Sequence, residues 1–237
     1  MKTFLIQTVN GRITFDFAFQ LLEAIDYQNW YHNEKCFHYI LSDSGDIPNC
    51  IPVGSVEFVL NYLEKHYGVE GVRPINIPPE LMRPAFLKRE AEVVNTEEKP
   101  VAIKGKPLFV KDNNKIKGFA DIITDGSRLK GEYLVSEVID IDSEWRAFVY
   151  RSRLVGLQNY SGDFTLFPDV TLINDMIQIY SQCPPAYTLD VGINKEKGTF
   201  LIEVHNFFSC GLYGFHDHRI LPQMFIQSFL HMIPKKH

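Results

Sequence analysis

The stretch FLIEVHNFFSCGLYGF, residues 200–215, begins as an apolar strand and ends in a turn-rich segment. Glu203 lies in the middle of the apolar run, and His205 and Asn206 follow it closely. Removing a carboxylate from water is unfavourable unless a cation or hydrogen-bond donors stabilise its charge. The stretch therefore indicates a site in which Glu203 has a charged or polar partner from another part of the chain.

A second strand, TLDVGIN, precedes this one and is joined to it by the polar loop KEKG. Pairing across a four-residue loop places Asp190 directly opposite Glu203. Like charges in this position destabilise a sheet, and a divalent cation such as Mg²⁺ between the carboxylates would remove the repulsion. A shift of one residue removes the direct opposition, whereas Glu203 and His205 share a face in every register.

A zinc site is the alternative for this part of the chain. His205, Cys210, His216 and His218 lie within fourteen residues, and zinc binds histidine and cysteine. Their spacing fits none of the standard zinc patterns, so the pair of carboxylates favours magnesium over zinc.

Two earlier segments also place charged residues in predicted strands. In YLVSEVIDI, alternation puts Glu137 on the same face as large apolar side chains. The alternative is an edge strand whose glutamate reaches water. In SEWRAFVY, Glu144 and Arg146 share a face, where they either pair with each other or offer an acceptor and a donor fork to a polar ligand.

Composition excludes several classes of function. The 237 residues carry a net charge of −5 and are 45% hydrophobic, which is typical of a globular protein and argues against general binding to nucleic acid or anionic membranes. No apolar run approaches the roughly 20 residues needed to span a bilayer. The N-terminus lacks the features of a signal peptide, and four scattered cysteines fit reduced thiols. A cytoplasmic location is expected.

One segment departs from the acidic average of the chain. Between residues 99 and 117 there are six lysines and a single acid, Asp112. Either the segment binds an anionic ligand, or it is a solvated hairpin fringed with lysines. The six lysines are Lys99, Lys104, Lys106, Lys111, Lys115 and Lys117.

The order of predicted elements indicates an α/β (α+β) protein in two parts. Strand and helix patterns alternate over the first 70 residues, which favours a small layer with a parallel sheet. Residues 69–80 form a proline-containing linker, and the remainder is dominated by strands and hairpins. We therefore expect an N-terminal domain over 1–80 and a larger sheet-based domain over 81–237.

Taken in order, these features resemble the ATP-grasp superfamily. The resemblance lies in the lysine of FVKD, the acid of SEVI, Glu144 seven residues later, and the pair Asp190 and Glu203. The segment LIEVHNFFSCGLYG is similar to the metal-binding strand of that superfamily, E-x-N followed by a glycine-containing turn. The segments CIPVGSVEFV and LMRPAFLKRE resemble those of a small phage- and bacteria-associated clade of uncharacterised ligase-like proteins.

The resemblance implies an ATP-grasp fold with a small N-terminal pre-ATP-grasp layer, and it assigns roles at the phosphates. Lys111 would contact the α- and β-phosphates of ATP. Arg89, or Lys88 beside it, would replace an earlier phosphate-binding lysine. Arg146 would point to the phosphates or to an acyl phosphate.

The resemblance also assigns residues to the nucleoside. Glu137 and the backbone of Val138 and Ile139 would form a hinge that meets adenine. Glu144 would accept hydrogen bonds from the ribose hydroxyls.

In the same way, Asp190 and Glu203 would hold Mg²⁺, with one departure from the pattern of the superfamily. Asparagine is usual two residues after the second metal-binding acid, whereas His205 stands there in this chain and Asn206 follows it. Either His205 replaces the amide, or a local bulge brings Asn206 to the metal. Imidazole is a poorer ligand than oxygen for Mg²⁺.

The implied reaction is an ATP- and Mg²⁺-dependent, ADP-forming ligation of a carboxylate to an amine or similar nucleophile. The partners would be small-molecule or peptide substrates, without nucleic acid or membrane. Two alternatives remain at this stage: a nucleotide-binding regulatory module without turnover, and a phosphotransferase on the same fold.

Overall fold

The computed structural model describes residues 1–98, 101, 105–124 and 129–234. The N-terminal layer is a three-stranded parallel sheet with strand order β2-β1-β3, as the sequence predicts. Three consecutive residues of its central strand, Phe4, Leu5 and Ile6, are completely buried, because both faces of a parallel sheet are covered. Its elements are β1 (Lys2–Gln7), α1 (Asp16–His32), β2 (Phe37–Ser42), β3 (Ile51–Val53) and α2 (Val56–Tyr67).

Both ends of α2 are capped. The Ser55 hydroxyl accepts a hydrogen bond from the Phe58 amide at 3.1 Å, which caps the first turn. Gly68, with φ of +63°, ends the helix in the left-handed conformation that glycine adopts readily.

The second sheet has four antiparallel strands in the order β4-β7-β5-β6. We call it the small sheet. A short helix that begins at Pro84 precedes it. The elements are α3 (Pro84–Leu87), β4 (Ala91–Asn95), β5 (Leu108–Asp112), β6 (Ala120–Ile123) and β7 (Glu132–Glu137).

The third sheet, called the large sheet, is antiparallel with the order β11-β10-β8-β9. One face is covered by α4, whose Ile173, Met176 and Ile177 are buried there. Asp169 caps α4, accepting hydrogen bonds from the amides of residues 171 and 172. The elements are β8 (Ser143–Tyr150), β9 (Arg153–Gly162), α4 (Val170–Ile179), β10 (Ala186–Asn194) and β11 (Gly198–Asn206).

The C-terminal helix α5 (Leu221–Met232) packs with the N-terminal layer. Its apolar residues belong to the same core as β1 and α1, together with Phe207 and Phe215 from the segment that precedes it. The N-terminal layer is thus completed by residues from the other end of the chain, and the domain boundary near residue 80 stays a prediction. Within the described residues, no helix combines the length and apolarity needed to cross a bilayer.

Candidate functional site

The hairpin of β10 and β11 brings Asp190 opposite Glu203, as predicted, although the pairing next to the loop differs from the predicted one. The loop has three residues, so Asn194 pairs with Gly198, one position away from the predicted pairing. A β-bulge at Ile202 then inserts one extra residue into β11. Such bulges re-aim side chains and are frequent beside active sites. In this hairpin the bulge cancels the shift at the loop and restores the opposition of the two carboxylates.

Asp190 is bound by Arg146 from the neighbouring strand β8. Nε and Nη2 of Arg146 donate to the two carboxylate oxygens at 2.8 Å each, and Nη1 donates to the Gly211 carbonyl at 3.1 Å. The two side chains are 9% and 4% exposed. Burial alone raises the pKa of Asp190, but hydrogen bonds from Arg146 and His205 outweigh burial and lower it. Asp190 is therefore ionised at neutral pH.

His205 lies between the two carboxylates. Its Nε2 is 3.2 Å from Oε1 of Glu203 and 3.4 Å from Oδ2 of Asp190, while Oε2 of Glu203 accepts a hydrogen bond from Nζ of Lys111. Burial raises the pKa of Glu203, but His205 and Lys111 lower it to about 2. Burial lowers the pKa of His205, but the two carboxylates raise it to about 9. Two carboxylates are thus surrounded by three cationic side chains.

Two tyrosines support Arg146. Its Cζ lies 5.6 Å from the ring centroid of Tyr160 and 5.1 Å from that of Tyr213, and the rings stack at 5.0 Å. The Tyr160 hydroxyl donates to Glu144 at 2.8 Å. Burial raises the pKa of Tyr160, so this hydroxyl keeps its proton. Glu144 and Arg146 are consequently joined through Tyr160 rather than to each other.

Lys111, Arg146, His205 and Tyr213 line a cleft of about 340 Å³, and Asp190 and Glu203 lie directly behind the first three, which contact them. Lys111 and Ala120 line it from the small sheet, Arg146 and His205 from the large sheet, and Val56 from the N-terminal layer. Of the described residues that line the cleft, four carry basic groups and none carries a carboxylate, the fourth basic residue being Lys117. An acidic protein therefore has a cationic cleft, which suits an anionic ligand such as a phosphate chain.

Two carboxylates beside the cleft, those of Asp190 and Glu203, are suitable ligands for Mg²⁺. One ligand atom each from Asp190, Glu203 and His205 lies within 4.8 Å of the others. Mg²⁺ prefers oxygen ligands, and both carboxylates are ionised, whereas the protonated His205 acts as a counter-ion. Pairing in the hairpin continues without a bulge from Glu203 to Asn206, so alternation places Asn206 on the other face of β11 from His205 and Glu203. Asn206 nevertheless lines the cleft, and whether His205 or Asn206 contributes to a metal site stays a prediction.

Arg89 stabilises the bulge of β11. Its Nη1 donates to the Leu201 carbonyl at 2.8 Å and Nη2 to the Ile202 carbonyl at 3.4 Å, and the guanidinium lies 5.6 Å from the Phe200 ring centroid. Burial lowers its pKa to about 10, which leaves it charged at neutral pH. Lys88, the alternative, is half-buried. A contact between either residue and a phosphate stays a prediction.

Replacing Arg89 with methionine should lower the free energy of unfolding by about 1–3 kcal/mol, because the bulge carbonyls lose a charged donor. Urea denaturation followed by circular dichroism measures the change. Arg83→Met, at an exposed neighbour, is the matched control and should change stability by less than about 0.5 kcal/mol. Equal effects of the two substitutions would show that Arg89 does not stabilise the bulge.

The predicted hinge connects the small sheet to the large one. Glu137 is the last residue of β7 and is exposed, and its carboxylate accepts a hydrogen bond from the Glu90 amide at 3.0 Å. β7 is an inner strand of the small sheet, so the edge-strand alternative is wrong. Glu137 is exposed because it lies at the end of that strand. Val138 is 40% exposed and Ile139 is half-buried. The contact of this segment with adenine stays a prediction.

The zinc alternative is wrong for the described residues. Among them, the one group of three or more His, Cys, Asp or Glu side chains close enough to share a metal ion is the Asp190 group. Cys210 is buried, and His216 bonds instead to the Gly214 carbonyl at 2.6 Å.

In the described part of the lysine-rich segment, the lysines divide between solvent and the cleft. Lys106 and Lys115 are exposed, Lys117 is exposed and lines the cleft, and Lys111 is only 20% exposed and faces Glu203. Lys99 and Lys104 lie outside the described residues.

The charge of His205 makes the stability of the metal-free protein depend on pH. Its pKa is about 9 in the folded state, above the ordinary value of 6.5. Its stabilising contribution is therefore complete below pH 6.5 and is lost as the pH rises through 9. Because the side chain is 32% exposed, we expect a loss on the order of 1 kcal/mol. Urea titrations in EDTA at several pH values measure it, and His205→Asn should abolish this slope.

Sequence reasoning missed Tyr160, Tyr213 and Asn76. Tyr160 and Tyr213 lie more than fifty positions apart, and no local spacing links them. Asn76 lies in the linker, where its carbonyl accepts a hydrogen bond from the Val204 amide. Only the position of Tyr213 near the end of the segment LIEVHNFFSCGLYG could have indicated a role for either tyrosine.

A family model described as the ATP-grasp domain of R2K clade family 2 matches residues 86–222, more than half of the chain. The matched segment runs from α3 into the start of α5 and includes both four-stranded sheets. Comparison with curated proteins found no significant match.

Solved structures of ligases share the fold at low identity. D-alanine–D-alanine ligase from Bacillus anthracis superposes with a TM-score of 0.54 at 12% identity, covering 98% of each chain. N5-carboxyaminoimidazole ribonucleotide synthetase from Thermotoga maritima gives 0.53 at 14% identity, over 99% of this chain and 77% of that one. The macrocyclase MdnC from Microcystis aeruginosa MRC, bound with precursor peptide MdnA, gives 0.51 at 10% identity, over 96% and 99%.

At these identities the likeness to solved structures concerns the fold, whereas the family match concerns the sequence itself. The family match identifies the superfamily, and the two sheets that line the cleft lie inside the matched segment. The chain therefore belongs to the ATP-grasp superfamily, in family 2 of the R2K clade.

Proposed function

We propose that the protein is an ATP- and Mg²⁺-dependent ligase that activates a carboxylate as an acyl phosphate for attack by an amine or similar nucleophile. The observation that carries the proposal is the pair of ionised carboxylates, Asp190 and Glu203, in contact with the basic residues that line a cleft between two antiparallel sheets. Family membership and the ligase neighbours support it. Phosphoryl transfer needs charge neutralisation and positioning more than a protein nucleophile.

The residues of the cleft divide this work. Asp190 and Glu203 would hold Mg²⁺, which would supply electrostatic stabilisation of the transferring phosphoryl group. Lys111 lies at the cleft with its ammonium on Glu203, and it would exchange this carboxylate for a phosphate oxygen. Arg146 would stabilise negative charge while Asp190 and the two tyrosines fix its plane.

Cys210 does not provide a competing nucleophile, although it lines the cleft. Burial raises the pKa of its thiol to about 12, so the reactive thiolate is absent at neutral pH. This agrees with direct attack of the second substrate on the acyl phosphate.

The remaining assignments extend the proposal to the nucleoside and the substrates. The hinge at Glu137–Ile139 would meet adenine, and Glu144 would exchange Tyr160 for the ribose hydroxyls. The N-terminal domain, 1–80, would help shape the substrate site beside the ATP-grasp domain, 81–237. The substrates would be small molecules or peptides in the cytoplasm. Among the neighbours, one is a D-alanine–D-alanine ligase and another was solved with a precursor peptide.

Calorimetry with ATP in the presence and absence of Mg²⁺ tests the proposal. We expect binding that requires Mg²⁺, and release of ADP when the correct carboxylate and amine are supplied from a panel or a metabolite extract. Failure of the wild-type protein to bind ATP with Mg²⁺ would refute the proposal.

A second function, a nucleotide-binding module without turnover, is favoured by one observation. Arg146 already occupies both oxygens of Asp190, and a protonated His205 stands at the position usual for the metal-site asparagine. Nucleotide binding without Mg²⁺ dependence would favour this module over the ligase.

A further inference from the structure

Asn76 joins the two sheets that face the cleft, although it belongs to neither. It lies in the linker before the 3-10 turn at Pro79–Leu81 and is 1% exposed. Its carbonyl accepts a hydrogen bond from the Val204 amide at 2.6 Å. Its Nδ2 donates to the Asp112 carbonyl at 3.2 Å and to Oδ1 of Asn113 at 2.9 Å. Asn76 therefore contacts the large sheet through its main chain and the small sheet through its side chain.

The partners of Asn76 are sequence neighbours of the ion pair in the cleft. Asp112 follows Lys111, and Val204 follows Glu203. The hydrogen bonds of Asn76 and the contact of Lys111 with Glu203 consequently close a ring through the two strands. Any movement of the β5–β6 hairpin that withdraws Lys111 from β11 must strain or break a hydrogen bond of Asn76.

The amide of Asn76 has a role that packing alone does not explain. Its Oδ1 is buried without a partner among the described residues, which is unfavourable. An apolar side chain would fill the same space without this penalty. The two hydrogen bonds of Nδ2 are what the amide adds. The residue has φ of +52°, which asparagine and glycine tolerate better than most residues.

We propose that Asn76 is a positioning residue for the phosphate site. It holds the β5–β6 hairpin over β11, so that Nζ of Lys111 stays within reach when it leaves Glu203 for a phosphate oxygen. The inference rests on the proposed function, and its ligand is the phosphate chain of a nucleoside triphosphate. Without this link, the ion pair that ligand binding must break would be the remaining polar contact between the β5–β6 hairpin and β11 among the described residues.

Hydrogen exchange of the ligand-free protein tests the link without nucleotide. Asn76→Gly removes the side chain and keeps the left-handed backbone. We expect amides in residues 108–123 to exchange about tenfold faster, while those of β2 keep their rates. Asn10→Gly is the matched control, because Asn10 is exposed and also has φ of +52°, and it should leave the hairpin unchanged. Unchanged exchange in the hairpin of Asn76→Gly would overturn the proposal.

A second variant approaches the link from the hairpin, in case Asn76→Gly does not fold. Asn113→Ala removes the acceptor at 2.9 Å and lies at a half-buried position. Its side chain also donates to Glu132 at 2.7 Å, so Glu132→Met, which removes that acceptor, serves as the control for that bond. Faster exchange in Asn113→Ala than in Glu132→Met supports the link, and equal exchange contradicts it.

Nucleotide affinity separates positioning from a purely structural role. Asn76→Gly should weaken Mg²⁺–ATP binding about tenfold, measured at a temperature well below the melting temperature of the variant. Combined with Lys111→Met it should add little to the loss caused by Lys111→Met alone, because both act through the same ammonium. Additive losses would contradict the role. If the wild type binds no nucleotide, the proposed function fails, while the exchange experiment still decides whether Asn76 holds the hairpin.

Discussion

Asp190→Ala is expected to lower the free energy of unfolding by about 3–5 kcal/mol, the largest effect on stability predicted for a single residue of the site. The substitution leaves the guanidinium of Arg146 buried without its carboxylate. Arg146 is 9% exposed at its side chain, and it loses two hydrogen bonds of 2.8 Å. Its one other hydrogen bond, to the Gly211 carbonyl, does not neutralise the charge. Urea denaturation in the presence of EDTA measures the loss without a contribution from bound metal.

The double variant Arg146→Met with Asp190→Leu distinguishes an unpaired charge from lost packing. Removing both charges should recover most of the lost stability, since buried ion pairs are often replaceable by apolar residues. Glu203→Gln, at a carboxylate that is 21% exposed, should cost clearly less than Asp190→Ala. A loss below about 1 kcal/mol in Asp190→Ala would show that the pair with Arg146 contributes little to the fold.

The sequence predicts the opposition of Asp190 and Glu203 correctly, for a reason that is only partly right. The predicted four-residue loop is wrong by one position, and the bulge at Ile202 compensates. A bulge depends on contacts distant in sequence, including the hydrogen bonds of Arg89 to the bulge carbonyls. The alternation of side chains along one strand does not predict where a bulge falls. The expected repulsion between Asp190 and Glu203 nevertheless indicates the site.

The sequence also predicts the layers better than the contacts between them. Apolar periodicity and turn residues identify the parallel sheet and α2, because they are local properties. The pairing of Arg146 with Asp190 is not local. On β8 alone, Glu144 is an equally plausible partner for Arg146, and only the position of β10 beside β8 decides between them. Glu137 shows the same limit, since the end of β7 rather than its alternation exposes the carboxylate.

Lys111→Met is expected to weaken the binding of ATP with Mg²⁺ about 10- to 100-fold, the largest effect on affinity predicted for the cleft. A hydrogen bond to a charged group contributes about 1.5–3 kcal/mol, which corresponds to this range of dissociation constants. In the ligand-free protein Lys111 neutralises Glu203, so its ammonium is already oriented toward the cleft before nucleotide binds. Lys115→Met, at an exposed position of the same hairpin, should change affinity less than about twofold. Isothermal titration calorimetry measures both variants.

The dependence on Mg²⁺ separates the role of Lys111 from that of Glu203. Lys111→Met keeps both carboxylates, so its remaining affinity should still rise when Mg²⁺ is added. Glu203→Gln keeps the lysine and removes a ligand charge, so its affinity should respond little to Mg²⁺. If both variants lose the response to Mg²⁺ equally, Lys111 acts by orienting Glu203 rather than by contacting phosphate. If neither loses it, the metal is held elsewhere. The two substitutions thus assign the two ends of one ion pair to different parts of the bound nucleotide.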